Sequence, residues 1–149
     1  MESNFYFLKE RFEDYYNLAR EAEVNVMTKP RTSVIYARLT LEELIKWIYQ
    51  FDPTLSAISL EKTTLEALMY APAFKALIAD AGNLIDGLTL IRKSGNTAIH
   101  NKTDVSMRYA HSSIQNLFEF SKWFFYTYVD SSVKLPFSFD GMLVPHGDG

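Results

Sequence analysis

Three polar residues, Arg92, Asn96 and His100, follow one another at intervals of four. If this segment is helical, they lie along one face and drift by only about 40° per step. The row then combines a permanent cation, an amide and an imidazole that titrates near neutral pH. It could contact a phosphate or a nucleic acid, or His100 could act as a general base beside Arg92 as charge stabiliser. The structural alternative is that Asn96 and His100 satisfy backbone groups while Arg92 pairs with an acid.

Two further polar sets are candidates for function. Arg38, Glu42 and Lys46 form i,i+4 pairs, which are typical of a solvated helix face, although Arg38 or Glu42 could instead reach the Arg92 row. Between residues 86 and 108, four cations face two acids (4 − 2), a net charge of +2. The cations of this candidate nucleic-acid patch are Arg92, Lys93, Lys102 and Arg108.

Several classes of chemistry find no support in the sequence. The chain has no cysteine, which excludes disulfides, thiolate metal sites and cysteine nucleophiles. Phosphate-binding loops and zinc-protease motifs are absent, and His100, His111 and His146 are far apart, so we predict no metal and no cofactor in this domain. The net charge of −3 argues against a surface that binds nucleic acid throughout. No apolar run reaches membrane length and no signal peptide is visible, which predicts a cytoplasmic protein without membrane contact.

The elements that must position these residues are helices. At 149 residues and 48% hydrophobic content, the chain suits one domain. Apolar residues recur at helical spacing, and we predict an all-α bundle of four main helices plus short ones. The main helices are expected from Phe5 to Ala22, Pro30 to Asp52, Asn83 to His100 and Val105 to Val129.

The short helices and the caps have their own signals. Thr63 and Glu66 have the spacing of a capping box and open one short helix, and Pro72 opens the next. Residues 102–104 are expected to supply a turn and the cap of the last helix. That helix is rich in aromatic residues, which predicts core packing together with a ridge for docking.

From Ser131 the sequence turns irregular, with Pro136 and Gly141 in a stretch that cannot be helical. We therefore divide the chain into a helical domain, 1–130, and a segment 131–149 that is a linker or the start of a following domain. This division predicts that the chain is a fragment of a longer protein.

Two segments carry a family resemblance: Arg38-x-x-Leu41-Glu42-x-Leu44-Ile45-Lys46, and Leu90-x-x-x-x-Gly95-Asn96-x-Ala98-x-His100. With the aromatic last helix, they resemble a helical domain of unknown function at the N-terminus of type I restriction endonuclease R subunits, over about residues 5–130. The resemblance implies a non-catalytic accessory domain that contacts other subunits of the restriction-modification complex or DNA. The parent would be a type I site-specific deoxyribonuclease, a hydrolase that uses Mg²⁺ and ATP.

The same helical family is similar to the HEPN superfamily, so the resemblance implies a HEPN-like helical bundle. The ribonucleases of that superfamily use an Arg, a following polar residue and a His four residues after the polar one. Asn96 and His100 match the second and third positions, whereas Gly95 stands where the Arg is expected and Arg92 is the nearest arginine. Two alternatives follow. One is a metal-independent endoribonuclease that uses His100 and Arg92, and the other is a free-standing module that forms a homodimer.

Overall fold

The computed structural model describes residues 2–55, 60, 62–101 and 104–147. In this part of the chain every regular element is a helix, which confirms the all-α prediction. The helices are α1 (Glu13–Val24), α2 (Pro30–Phe51), α3 (Leu65–Tyr70), α4 (Pro72–Ile78), α5 (Leu84–His100) and α6 (Met107–Tyr128), with 3₁₀ turns at Tyr6–Leu8 and Gly141–Leu143. Within the same residues, no helix is both long and apolar enough to cross a membrane.

Helix α2 is the centre of the bundle and packs against α1, α5 and α6. Its buried apolar residues are Val34, Ala37, Leu41, Leu44, Ile45, Ile48 and Tyr49. They form a wide apolar surface, and a helix with such a surface buries it against several neighbours. The Tyr49 hydroxyl near the end of α2 donates to the Leu68 carbonyl on α3, and α3 also reaches Arg92 in the first half of α5. Arg38, in the first half of α2, contacts Gly95 near the end of α5. Helices α2 and α5 are therefore antiparallel.

The aromatic residues of α6 form much of the core. Phe118, Phe120 and Phe124 are fully buried, and the Phe124 ring lies 5.1 Å from the Trp47 ring of α2 in an edge-to-face arrangement. Edge-to-face pairs of this kind stabilise a core beyond the area that they bury. Phe118, Phe120, Phe124 and Phe125 of the last helix are thus core residues, as predicted, whereas Tyr109 is exposed.

The first predicted helix is wrong in its first half. Phe5 and Leu8 belong to a 3₁₀ turn, and α1 begins only at Glu13, after a break at Phe12 (φ −134°, ψ 56°). All three side chains do face the core, so the spacing was a true signal of burial. The Phe5 ring packs on Phe118, whereas the Phe12 ring, at the backbone break, packs on Trp47 and Phe124.

Two predicted caps are displaced by one or two residues. Thr64, not Thr63, caps α3, and its hydroxyl accepts a hydrogen bond from the Ala67 amide at 3.1 Å. Ser106 caps α6 by accepting from the Arg108 and Tyr109 amides, whereas residues 102 and 103 of the predicted turn lie outside the described part of the chain. A serine in extended conformation directly before a helix is a strong cap, and this one outcompetes Asp104. The predicted start of α4 at Pro72 is confirmed.

The segment after α6 is irregular, as predicted, but it does not leave the bundle. Residues Val133–Val144, which we call the strap, run back along α6 towards its N-terminal half. The Phe139 ring packs against Phe118, and Val144 is buried. Asn4, near the start of the chain, pairs with both backbone groups of Asp140: its amide donates to the Asp140 carbonyl at 3.0 Å and accepts from the Asp140 N–H at 2.7 Å.

Candidate functional site on helix α5

Helix α5 carries Arg92, Asn96 and His100 on one flank, as their spacing predicts. Two turns separate Arg92 from His100, a rise of about 12 Å along the helix axis. The three side chains differ in their environments, since Arg92 is buried, Asn96 is half-buried and His100 is exposed.

Arg92 is held by helix α3. Its Nη1 lies 3.1 Å from Oε2 of Glu66, and its guanidinium carbon lies 5.9 Å from the centre of the Tyr70 ring. The Tyr70 hydroxyl is in turn hydrogen-bonded to Thr89, which fixes the ring against α5. Arg92 therefore has an acid as its partner and an aromatic face beside it, the arrangement that the structural alternative expects.

Burial makes this pair more than a surface ion pair. Arg92 is only 9% exposed, and its buried Nε finds no hydrogen-bond partner among the described residues. A buried guanidinium that loses its only anion is costly, because nothing replaces the solvation that burial removes. Glu66 thus ties α3 to α5 at this point.

Gly95 explains how α2 approaches the row. A β-carbon built at position 95 would lie 2.6 Å from the Arg38 Cβ and 2.7 Å from its Cδ, so only glycine accommodates Arg38 there. Arg38 is ion-paired with Glu42 at 3.4 Å, and Glu42 also pairs with Lys46. Arg38 thus lies against α5 through its stem at Gly95, beside the row, while its guanidinium makes the predicted i,i+4 pair with Glu42.

Asn96 and His100 are not paired through their side chains with other described residues. His100 is the last residue of α5, and neither side chain has a hydrogen-bond partner among the residues that the structure describes. A general base is usually oriented by a second group. About 12 Å of helix axis separates the positions of Arg92 and His100, and the Arg92 guanidinium lies against Glu66.

Two of the four predicted patch cations, Lys93 and Arg108, lie along a groove between α5 and the start of α6, whereas Arg92 faces Glu66 on α3. Lys93 and Arg108 are both exposed, and Lys102 lies outside the described residues. Lys93 lines a cavity of about 450 Å³ that sequence patterns did not indicate. Its other lining residues are Leu90, Ser94, Thr97, Asp104, Val105, Ser106 and Tyr109.

The neighbouring cavity extends this groove along α6. It measures about 550 Å³ and is bounded by Arg108, Met107 and again Tyr109. Met107 and Tyr109 are about half exposed, as are Ile99 on α5 and Phe51 at the end of α2. We call the surface of the two cavities the α5–α6 groove.

The described residues hold no group of three or more acidic or histidine side chains that could bind a metal ion. Of the other two histidines, His111 lies on α6 with its ring 5.6 Å from Phe139, and His146 is exposed near the end of the chain.

Two polar clusters were missed entirely by the sequence patterns. The first is Glu23, a fully buried carboxylate that accepts from the backbone and side-chain amides of Asn4 and from Arg20, each at 2.9 Å. The second joins the ends of α2 and α6, where the Tyr128 hydroxyl donates to Asp52 at 2.5 Å. Local spacing does not reveal either cluster, because Asn4 and Glu23 are 19 residues apart and Asp52 and Tyr128 are 76 residues apart.

The Asp52–Tyr128 pair shifts both pKa values. Burial pushes the pKa of Asp52 up, but hydrogen bonds from Tyr128 and Thr54 outweigh that effect and hold it below 3.8. Burial, together with the same bond to Asp52, raises the pKa of Tyr128 far above 10. The phenol therefore stays protonated and the carboxylate ionised across the physiological range.

Comparison of the chain with protein-family models, with curated proteins and with solved structures found no match.

Proposed function

We propose that this chain is a non-catalytic contact domain with a HEPN-like fold, the N-terminal accessory domain of a type I restriction R subunit. The proposal starts from the two segments that carry the resemblance, one on α2 and the other on α5. These helices pack directly against each other, and Gly95 of the second segment receives Arg38 of the first. The parent's Mg²⁺- and ATP-dependent cleavage of DNA would belong to other parts of the subunit.

The engagement of Arg92 carries the non-catalytic part of this proposal. An arginine that stabilises a transition state must present free N–H groups to the reacting phosphate. Arg92 instead faces Glu66 and Tyr70 and is nine-tenths buried. In this arrangement it contributes to the packing of α3 on α5.

The α5–α6 groove supports a contact role. Its centre is apolar, with Leu90, Val105 and Tyr109, while Lys93 and Arg108 flank it. Interfaces between proteins commonly combine an apolar centre, an aromatic anchor and a charged rim. We therefore favour another subunit of the restriction-modification complex as the partner, with DNA contact through the two cations as the second possibility.

A binding experiment with a matched pair of variants tests this role. Tyr109→Glu places a charge in the groove, and Leu39→Glu places the same charge on an exposed apolar position of α2. We expect Tyr109→Glu to lower the affinity for the purified partner subunits at least tenfold and Leu39→Glu to leave it unchanged. Equal affinity of both variants and the parent chain would refute the groove as the contact surface.

A duplex DNA of random sequence separates the second possibility from the first. Binding through Lys93 and Arg108 would weaken steeply between 50 and 200 mM salt and would be reduced by Lys93→Ala with Arg108→Ala. We expect no such salt-dependent binding at micromolar protein. A clear salt-dependent affinity that these substitutions abolish would move the proposal to DNA.

One observation favours the ribonuclease alternative, namely that the His100 imidazole is exposed and free to meet a substrate. That alternative requires cleavage of RNA in the presence of EDTA and its loss in His100→Ala. We expect the unsubstituted chain not to cleave RNA. Metal-independent cleavage that His100→Ala abolishes would refute the proposal in favour of the ribonuclease alternative. The homodimer alternative requires a dimer at micromolar concentration, which sedimentation measures directly.

A further inference from the structure

The strap is held mainly through its backbone. The Leu135 N–H donates to the Tyr126 hydroxyl at 3.0 Å. Lys122 donates to the carbonyls of Pro136 and Phe137, at 3.2 and 2.7 Å, and Asn4 pairs with both backbone groups of Asp140. Contacts of this kind do not depend on the side chains of the bound segment, and they are the ones by which proteins hold extended peptides.

Four strap side chains pack against the core, namely Val133, Leu135, Phe139 and Val144. The Phe139 ring sits between Phe118 and His111, at 5.8 and 5.6 Å, and Val144 is buried. In contrast, Phe137 is 94% and Met142 is 83% exposed. Segments with few buried contacts open locally at much lower free energy than the core.

The strap also leaves space beside it. A cavity of about 370 Å³ is bounded by Asn4, Ser138 and Phe139, and another of about 570 Å³ by Tyr6, Phe7 and Leu135. Each lies between the strap and the N-terminal turn. The strap therefore occupies its groove without filling it.

We propose that the outer face of α6 and the N-terminal turn form a docking groove for a linear peptide, and that the strap is its intramolecular occupant. The partner is an extended protein segment of the chemistry that the contacts specify. It offers backbone carbonyls to Lys122 and both backbone groups of one residue to Asn4, and it carries an aromatic anchor with an aliphatic anchor five residues later, as in Phe139 and Val144.

Tethering sets the condition for exchange. A covalently attached occupant competes at an effective concentration on the order of millimolar. A segment from another protein consequently displaces the strap only if it fills the groove better or if the strap is weakened. The strap thus makes the groove selective against weak ligands.

A labelled peptide of residues 131–146 tests the proposal by fluorescence anisotropy against the full chain and two variants. Phe139→Ala with Val144→Ala removes the two apolar anchors of the second half of the strap and leaves the groove unchanged. Met142→Ala is the matched control, since this strap side chain is mostly exposed. We expect the peptide to bind the double variant at least tenfold more tightly than it binds the parent chain or the control.

Three results would overturn the proposal. One is equal binding of the peptide, or of a scrambled peptide, to all three proteins. The second is no binding to the double variant. The third is loss of the cooperative thermal transition of the double variant, because the strap would then be an inseparable part of the core.

A second peptide addresses the unfilled space. Ser138 lines the cavity of about 370 Å³, so a peptide with Ser138→Leu can add apolar contact there. We expect this peptide to bind the double variant several-fold more tightly than the unchanged peptide. An equal or weaker affinity would contradict the groove as we describe it.

Discussion

The side chain of Arg38 lies flat across Gly95, so that a β-carbon at position 95 would stand 2.6 Å from the Arg38 Cβ. The close crossing of α2 and α5 depends on this contact. Because the obstructing atom is itself a β-carbon, it cannot move away without a shift of the α2 backbone.

We expect Gly95→Ala to destabilise the chain. Alanine gains about 1 kcal/mol over glycine inside a helix, but overpacking a tight contact costs about 1–3 kcal/mol. The net loss should be about 1 kcal/mol in the free energy of unfolding, measured by urea denaturation. Gly141→Ala is the control, since its nearest neighbour would be 4.0 Å away. Equal stability of Gly95→Ala and the parent chain would show that the helices separate easily.

The Arg92–Glu66 pair should respond unequally to removal of its two members. Glu66→Ala leaves the buried guanidinium without its anion and should cost about 1 kcal/mol, a value reduced by the 62% exposure of the Glu66 side chain. Arg92→Met removes the charge and keeps most of the volume, so it should cost less than Glu66→Ala. Urea denaturation of both variants decides the order, and the reverse order would mean that the ion pair itself is strongly stabilising.

Asn4→Ala should be among the most costly single changes at a polar residue. It removes a side-chain donor from the buried Glu23 carboxylate and both hydrogen bonds to Asp140. A buried group that loses its partner costs about 1–3 kcal/mol, and here the buried Glu23 carboxylate and the two part-buried backbone groups of Asp140 each lose one. Asn25→Ala is the matched control, because its amide hydrogen bonds are exposed and should contribute less than about 0.5 kcal/mol. Similar melting temperatures for both variants would contradict this expectation.

The Asp52–Tyr128 pair predicts a pH dependence at both ends of the scale. The folded-state pKa of Asp52 lies below its unfolded value of about 3.9, so its stabilisation is present above that pH and is lost as the pH falls through the folded pKa. The pKa of Tyr128 is raised, so its contribution is present below pH 10 and is lost as the pH rises towards the folded pKa. Tyr128→Phe should lower the free energy of unfolding by about 1–2 kcal/mol at pH 7. It should also make the free energy of unfolding depend less on pH in the acidic and in the alkaline range.

Chemical denaturation between pH 3 and pH 11 measures these flanks. Tyr36→Phe serves as the control on α2, where we expect a curve parallel to that of the parent chain. A Tyr128→Phe curve with unchanged slopes would show that other groups set the pH dependence.

The sequence predicted those features that depend on local patterns. Helices α2, α5 and α6 and the Pro72 start of α4 follow from apolar spacing and proline chemistry, which act within a few residues. The helix predicted from Phe5 was wrong over its first half. A 3₁₀ turn and an α-helix can both direct Phe5, Leu8 and Phe12 into a core, so their spacing does not distinguish the two. The docking of the strap was beyond local patterns, since Asn4 and Asp140 are 136 residues apart.

The candidate site was predictable to a similar extent. Four-residue spacing placed Arg92, Asn96 and His100 on one flank of α5, and an acidic partner for Arg92 was an open alternative. That the acid is Glu66 depends on how α3 folds back on α5, which no spacing encodes. The cavity beside Leu90 likewise depends on the separation of α5 from the start of α6.

The pairing of Asn4 with Asp140 brings two distant positions of the chain side by side, so that the path of the backbone is almost a closed ring. The chain termini can therefore be moved to another place in the fold. Joining these two regions by a short linker and cutting the chain in the exposed turn between α4 and α5, near Gly82, should give a circular permutant with the same helical packing. The order of the helices along the chain is then separable from their arrangement in space.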